Sequence, residues 1–167
     1  YVRAVRRFFS WLEIEGMIES SPAKRLELPP LPDEPPKSIN LTDVQKMLTA
    51  AEESPRDYAL LLFFADTGAR VGGVAGLTWE DVSLDKGCAT VREKGHGGKH
   101  KARTVYFGTQ TTTALVRQRE QTGEAGSVFP GQRGKALTEF GIYQALKRIA
   151  ERAKIKGRWN PHSFRHS

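Results

Sequence analysis

Apolar positions along the chain recur in two periods, and the changes of period divide it into elements. Val2, Val5, Phe8, Phe9 and Leu12 recur at helical spacing, which predicts an amphipathic helix over residues 1–16 ending at Gly16. Arg3, Arg6 and Arg7 occupy its other face. A lone amphipathic helix cannot bury its own stripe, so it reads as the last helix of a domain whose earlier part precedes it. Six prolines then fall between Pro22 and Pro36, in "SSPAKRLELPPLPDEPPKSIN". Proline removes a backbone donor and fixes φ, so this stretch is expected to be an extended linker and a domain boundary.

Beyond the linker, Thr42 with Gln45 predicts a capping box opening a helix over 42–53. Ser54-Pro55 opens another helix, and "YALLLFFADTG" is apolar almost all round, as expected for a buried central helix that Gly68 ends. "ARVGGVAGLTW" predicts a short helical piece. Strand-like alternation follows: Val82 with Leu84, then Cys88 to Glu93, then Arg103 to Phe107, with a turn at 85–87 and a Gly-rich hairpin end at 95–98. A helix over 110–122, a loop around "SVFPGQRG" and a helix from Thr138 to about Lys154 complete the pattern. Helices, a small antiparallel sheet, then helices again is an α+β layout dominated by helix.

Composition narrows the class. Of 167 residues, 38% are apolar and 27% charged, as in ordinary globular proteins. The single cysteine, Cys88, excludes an intramolecular disulfide and points to a cytoplasmic setting; it is expected in the core. No apolar run approaches the roughly 20 residues of a membrane helix. The chain opens on Tyr1 rather than Met, which reads as either a chain cut at its start or a partial reading frame.

Charge changes the picture more. Residues 1–130 hold 17 Lys+Arg against 17 Asp+Glu, whereas residues 131–167 hold 9 against 2, so the net +7 lies in the last segment. Such asymmetry is the footprint expected of a phosphate-backbone partner. Lys147, Arg148, Arg152, Lys154, Lys156 and Arg158 form a basic stripe running into "NPHSFRHS". There His162 and Arg165 lie three apart, on one helix face. With Arg70 after the Gly68 turn and Lys94 at the hairpin, they make an anion-handling set: arginine presents a planar fork to phosphate oxygens, and His and Lys can move protons.

Other candidates are weaker. "GHGGKH" joins two strands and lacks the spacing of a nucleotide-binding loop. His96 and His100 sit in a Gly-rich hairpin where spacing does not fix them as metal ligands, and no metal or other cofactor is expected. Trp79 and Trp159 are expected to pack, Trp159 also being placed to line a DNA channel.

"TGARVGGVAGLTWEDV", "VREKGHGGKHKARTVYF" and "PHSFRHS" together resemble the three motif regions of the tyrosine recombinase (phage integrase) family, in order and spacing. The resemblance implies residues 1–28 as the end of a helical core-binding domain, 29–37 as linker and 38–167 as a catalytic domain with a three-stranded antiparallel sheet. It implies Arg70 and Arg165 as clamps on a scissile phosphate, Lys94 as general acid, and His162 as a phosphate ligand assisting proton transfer. Lys99 or Lys101 remain alternatives to Lys94. Arg3, Arg7, Lys99, Lys101, Arg103, Lys147, Arg148, Arg158 and His166 are the expected DNA contacts, His166 equally as a cap or surface residue. The implied partners are double-stranded DNA and, for a full-length protein, three further protomers in a tetrameric synaptic assembly.

Two positions depart from the family pattern. Gly73 stands where an acidic residue is usual. The nucleophilic tyrosine is expected a few helical turns beyond the His-x-x-Arg box, whereas Tyr1, Tyr58, Tyr106 and Tyr143 all precede it. A polypeptide of these 167 residues is therefore expected to bind DNA without cleaving it. The alternative is a DNA-binding module that has lost cleavage, such as a remnant of a mobile element.

Overall fold

A computed structural model describes residues 1–28, 38–94 and 100–165, with the side chains of residues 93, 94 and 100 left undescribed. The chain divides into two compact units, residues 1–35 and 36–167.

The first unit holds α1 (Val2–Ile14), which closes at Gly16 with φ +69°. Its stripe is half-buried at best: Phe8 is 54% and Ile14 81% exposed, and no α1 residue is buried. The segment after it is not wholly extended. Pro22–Arg25 forms a 3-10 turn because the Ser21 hydroxyl accepts from the Ala23 N–H and Pro22 needs no donor. The linker expected at 29–37 lies outside the described residues.

The second unit opens with α2 (Leu41–Ala51) and α3 (Pro55–Thr67). The cap of α2 is Asn40, not Thr42. Asn40 Oδ1 accepts from the Asp43 N–H at 2.7 Å while Asn40 Nδ2 donates to Asp43 Oδ2, so Asn-x-x-Asp takes the role two residues earlier. Ser54 and Pro55 open α3 as expected, and Gly68 closes it at φ +53°. Because α3 is apolar all round, it lies in the middle and packs against α2, α5, α6, α7 and β3. Phe63 meets Phe107 and Phe129 at ring-centroid distances of 5.8 and 6.0 Å, and Phe64 meets Phe164 at 6.1 Å.

α4 (Val71–Ala75) leads to a 3-10 turn (Trp79–Asp81) and a three-stranded antiparallel sheet in the order β1 (Val82–Ser83), β2 (Cys88–Lys94), β3 (His100–Tyr106). The pairing reaches nearer the hairpin tip than the alternation suggests, with Lys94 opposite His100. Ala89, Val91 and Val105 bury the base of this hairpin. Cys88 is half-buried at the sheet end, opposite Ser83 and Tyr106, rather than in the core. The expected hairpin end at 95–98 lies outside the described residues.

α5 (Thr109–Thr122) begins at Gly108, which has no side chain to cap it. Asp66 supplies the cap from α3: its Oδ2 accepts from the Gly108 N–H and the Thr111 hydroxyl, each at 2.7 Å. The loop after α5 contains a 3-10 turn (Gln132–Gly134). α6 (Glu139–Arg152) buries Ile142, Ala145, Leu146, Ile149 and Ala150 under the core, and α7 (Pro161–Arg165) ends the described chain. The unit is mainly helical with one small antiparallel sheet.

Candidate functional site

The site is built at the corner where α3 stops. The Thr67 hydroxyl donates back to the Phe63 carbonyl and accepts from the Ala69 N–H, while Gly68 takes the left-handed conformation that turns the chain. Ala69 is buried and pins the corner, so Arg70, in the N-cap position of α4, is thrust outward.

α7 is five residues long, too short to be helical alone. Four contacts impose its position. Asn160 Oδ1 accepts from the Ser163 N–H at 3.1 Å, opening the helix as the Asn-Pro pair suggests. Phe164 is buried against Phe64. The Ser163 carbonyl accepts from the Ile39 N–H at 3.2 Å, tying the helix to the chain just before α2. Arg165 Nη1 donates to the Gly68 carbonyl at 3.1 Å. The approach is close: a Cβ on Gly68 would stand 3.3 Å from Arg165 Cα. Glycine at 68 is thus required both by its φ and by its neighbour.

Arg70, His162 and Arg165, predicted from separate motifs, line one cleft of about 200 Å³ together with Gly72, Gly73 and Glu139. His162 is exposed and Arg165 half-buried. Gly73, where the family resemblance implies an acid, is buried. The carboxylate on the cleft wall comes instead from Glu139 at the start of α6. Sequence reasoning missed this residue; the available signal was that Glu139 is one of only two acids among residues 131–167.

A broader groove of about 690 Å³ adjoins the cleft and shares Glu139 and His162 with it. Phe140, 71% exposed, Tyr143 and Arg158 are among its walls. Trp159 is half-buried and packs on Tyr143, with ring centroids 5.0 Å apart. Tyr58 lies elsewhere, accepting from Gln110 Nε2.

The other expected contacts are distributed. Lys94 ends β2 and its side chain is undescribed; Lys99 and His166 lie outside the described residues. Lys101 and Arg103 are exposed on β3, opposite Glu93 and Val91. The hairpin base is fixed by an ion pair between Arg92 and Asp81, whose other oxygen caps Thr78. Lys147 and Arg148 are exposed on α6, Lys147 being 3.8 Å from Glu151. Arg3 and Arg7 are exposed on α1, in the first unit. Among the described residues no group of three His, Cys, Asp or Glu side chains could hold a metal ion, and no helix is long and apolar enough to cross a membrane.

Comparison with known proteins gives the same outline. The chain is 34% identical to tyrosine recombinase XerC of Xanthomonas campestris pv. campestris over 98% of its own length and 51% of that protein. It is 31% identical to tyrosine recombinase XerD of Listeria innocua over its whole length and 59% of that protein. It thus spans between half and three-fifths of these curated relatives. The XerA recombinase crystal structure superposes with a TM-score of 0.71 at 23% identity, covering 99% of this chain and 57% of that one. The Tn1549 transposon integrase in complex with transposon right end DNA gives 0.74 at 16% identity, covering 99% and 62%. The family model described as the phage integrase family matches residues 37–167, and with the fold just described it establishes that this chain belongs to the phage integrase, or tyrosine recombinase, family.

Proposed function

We propose that the Arg70–His162–Arg165 cleft seats a phosphodiester of double-stranded DNA, and that the complete protein breaks and rejoins DNA there through a 3′-phosphotyrosine intermediate. The observation carrying this reading is convergence: two guanidiniums and an imidazole from segments far apart in sequence line one cleft small enough for a single phosphate. Arginine forks suit the non-bridging oxygens, whose charge grows as phosphorus becomes pentacoordinate. Loss of one such donor typically costs about 3–4 kcal/mol of barrier, 100- to 1000-fold in rate. Lys94 is assigned as the general acid on the leaving 5′ oxygen, and His162 assists proton transfer with the nucleophile. The exposed cations Lys101, Arg103, Lys147, Arg148 and Arg158 are assigned to the DNA backbone, with Arg3 and Arg7 contributing from the first unit and Lys99 and His166 by sequence alone. That the Tn1549 integrase was solved with its transposon end supports DNA as the partner. The same reading places the protein in the cytoplasm and, for the complete chain, in a tetrameric synaptic complex.

A polypeptide of residues 1–167 is proposed to bind duplex DNA without cutting it, because its tyrosines all precede the box. Duplex binding measured against salt tests the first part: log K should fall by about 0.9 per phosphate contact, and a flat response would sink the reading. A suicide substrate that traps covalent protein–DNA adducts tests the second. An adduct with residues 1–167 refutes it, and its loss in Tyr143→Phe would name the nucleophile.

A further inference from the structure

The first turn of α6 carries an aromatic ring that the fold does not use. α6 buries Ile142, Ala145, Leu146 and Ile149 in the core. At about 100° per residue, Phe140 falls on the far side of the helix from these four, and it is 71% exposed. One exposed apolar residue is ordinary, but a contiguous apolar strip is not. Phe140 belongs to such a strip, since with Val71, Tyr143 and Pro161 it lines the groove of about 690 Å³. The Tyr143 ring is taken up by Trp159, whereas Phe140 has no ring partner among the described residues.

The groove continues the phosphate cleft, with Val71, Pro161 and His162 lining both. Arg158 is a further wall of the groove, and Lys147, two turns beyond Phe140 on the same side of α6, is exposed. An apolar strip flanked by cations and joined to a phosphate seat suits nucleic acid. A duplex held by a phosphate in the cleft brings its neighbouring base pairs to the groove. A groove of about 690 Å³ is about 9 Å across, a span of two to three base pairs at roughly 3.4 Å each. In an intact duplex the faces of the bases are stacked on one another. Their edges carry hydrogen-bond donors and acceptors, with one apolar feature, the C5-methyl of thymine in the major groove.

We propose that Phe140 determines DNA sequence preference: its ring packs on the C5-methyl of a thymine within about three base pairs of the phosphate seated in the cleft. The inference rests on the cleft seating a phosphate of duplex DNA and goes beyond it by naming a base that the protein reads and the atom by which it reads it.

To test this, the wild-type chain selects tight binders from a pool of random-sequence duplexes. Each thymine of a selected duplex is then replaced in turn by deoxyuridine, which pairs identically and lacks only the methyl. Affinity is measured by anisotropy for the wild type, Phe140→Ala and Arg165→Ala. At one thymine shared by the selected duplexes, deoxyuridine is expected to weaken wild-type binding about three- to fivefold, the effect of returning one methyl-sized group to water. Phe140→Ala is expected to bind the thymine and deoxyuridine duplexes equally. Selected duplexes with no shared thymine overturn the proposal, as does a wild type indifferent to deoxyuridine at every position, a result that needs no variant to fold. A thymine preference that persists in Phe140→Ala overturns it too and assigns the methyl contact to another residue. If Arg165→Ala leaves duplex affinity intact, or the pool yields no binder, the reading of the cleft itself fails. Loss of affinity in Arg165→Ala with no effect of deoxyuridine refutes the role of Phe140 alone.

Discussion

Gly68 joins the fold to the site, and Gly68→Ala separates its two duties. At φ +53° an alanine suffers a left-handed backbone, which costs about 1–2 kcal/mol. The added Cβ also meets Arg165 Cα at 3.3 Å, a contact with backbone that cannot rotate away. α7 must then shift by a few tenths of an ångström, stretching the 3.1 Å bond from Arg165 Nη1 to the Gly68 carbonyl. Gly134→Ala is the matched control, since Gly134 has φ +73° with nothing within 4 Å of its Cβ position. Both variants should lower Tm by roughly 3–8 °C in a thermal melt, the melting shift that about 1–2 kcal/mol produces in a domain of this size. Only Gly68→Ala should also weaken duplex DNA binding by anisotropy, about threefold or more, as expected when one charge-assisted contact is misplaced. If the two variants have equal DNA affinity, Arg165 is not held through Gly68 and the account of the corner is wrong.

Other substitutions test single joints. Asp66→Ala orphans the Gly108 N–H and the Thr111 hydroxyl and should destabilise the protein by about 1–2 kcal/mol in urea unfolding, with Asp66→Asn recovering part of the loss. Asn40→Ala should cost about 1 kcal/mol, whereas Thr42→Ala stays within about 0.5 kcal/mol; the reverse order would restore Thr42 as the cap. Lys154 holds φ +54° just beyond α6, where the Ile155 N–H returns to the Ala150 carbonyl at 2.9 Å. Lys154→Gly should therefore raise stability by about 0.5–1 kcal/mol, read as a higher urea midpoint.

The parts of the fold legible in the sequence are those where local chemistry and tertiary packing agree. Ser54-Pro55 and Gly68 mark both ends of α3 because cap, proline and left-handed glycine each act within a few residues. The start of α2 is harder to read because two candidate caps overlap there, and Asn40 with its reciprocal bond to Asp43 prevails over Thr42. The start of β3 lies earlier than the alternation predicts for a different reason. His100, Lys101 and Ala102 lack a strand-like apolar pattern, and only their pairing with β2 makes them strand. Asp66 shows the same limit: a cap supplied from another helix has no local signature.

The site divides along the same line. Arg70, His162 and Arg165 are legible as candidates because their motifs are local, the first a turn after a buried helix and the others one helix face. What brings them together is not local. α7 owes its place to Phe64, Gly68 and Ile39, residues that pack, turn or donate a backbone N–H, and none of these carries a chemical hint of the site. Glu139 is illegible for a further reason. As the first residue of α6 it is the acid expected near the positive end of a helix, and that role explains it fully until Gly72 is known to lie against it. A carboxylate that reads as helix chemistry in the sequence joins the candidate site only when the fold sets it on the wall of the cleft that Arg70 and Arg165 also line. Gly72 leaves open the space beside that carboxylate, since a Cβ there would stand 2.9 Å from Glu139 Oε1.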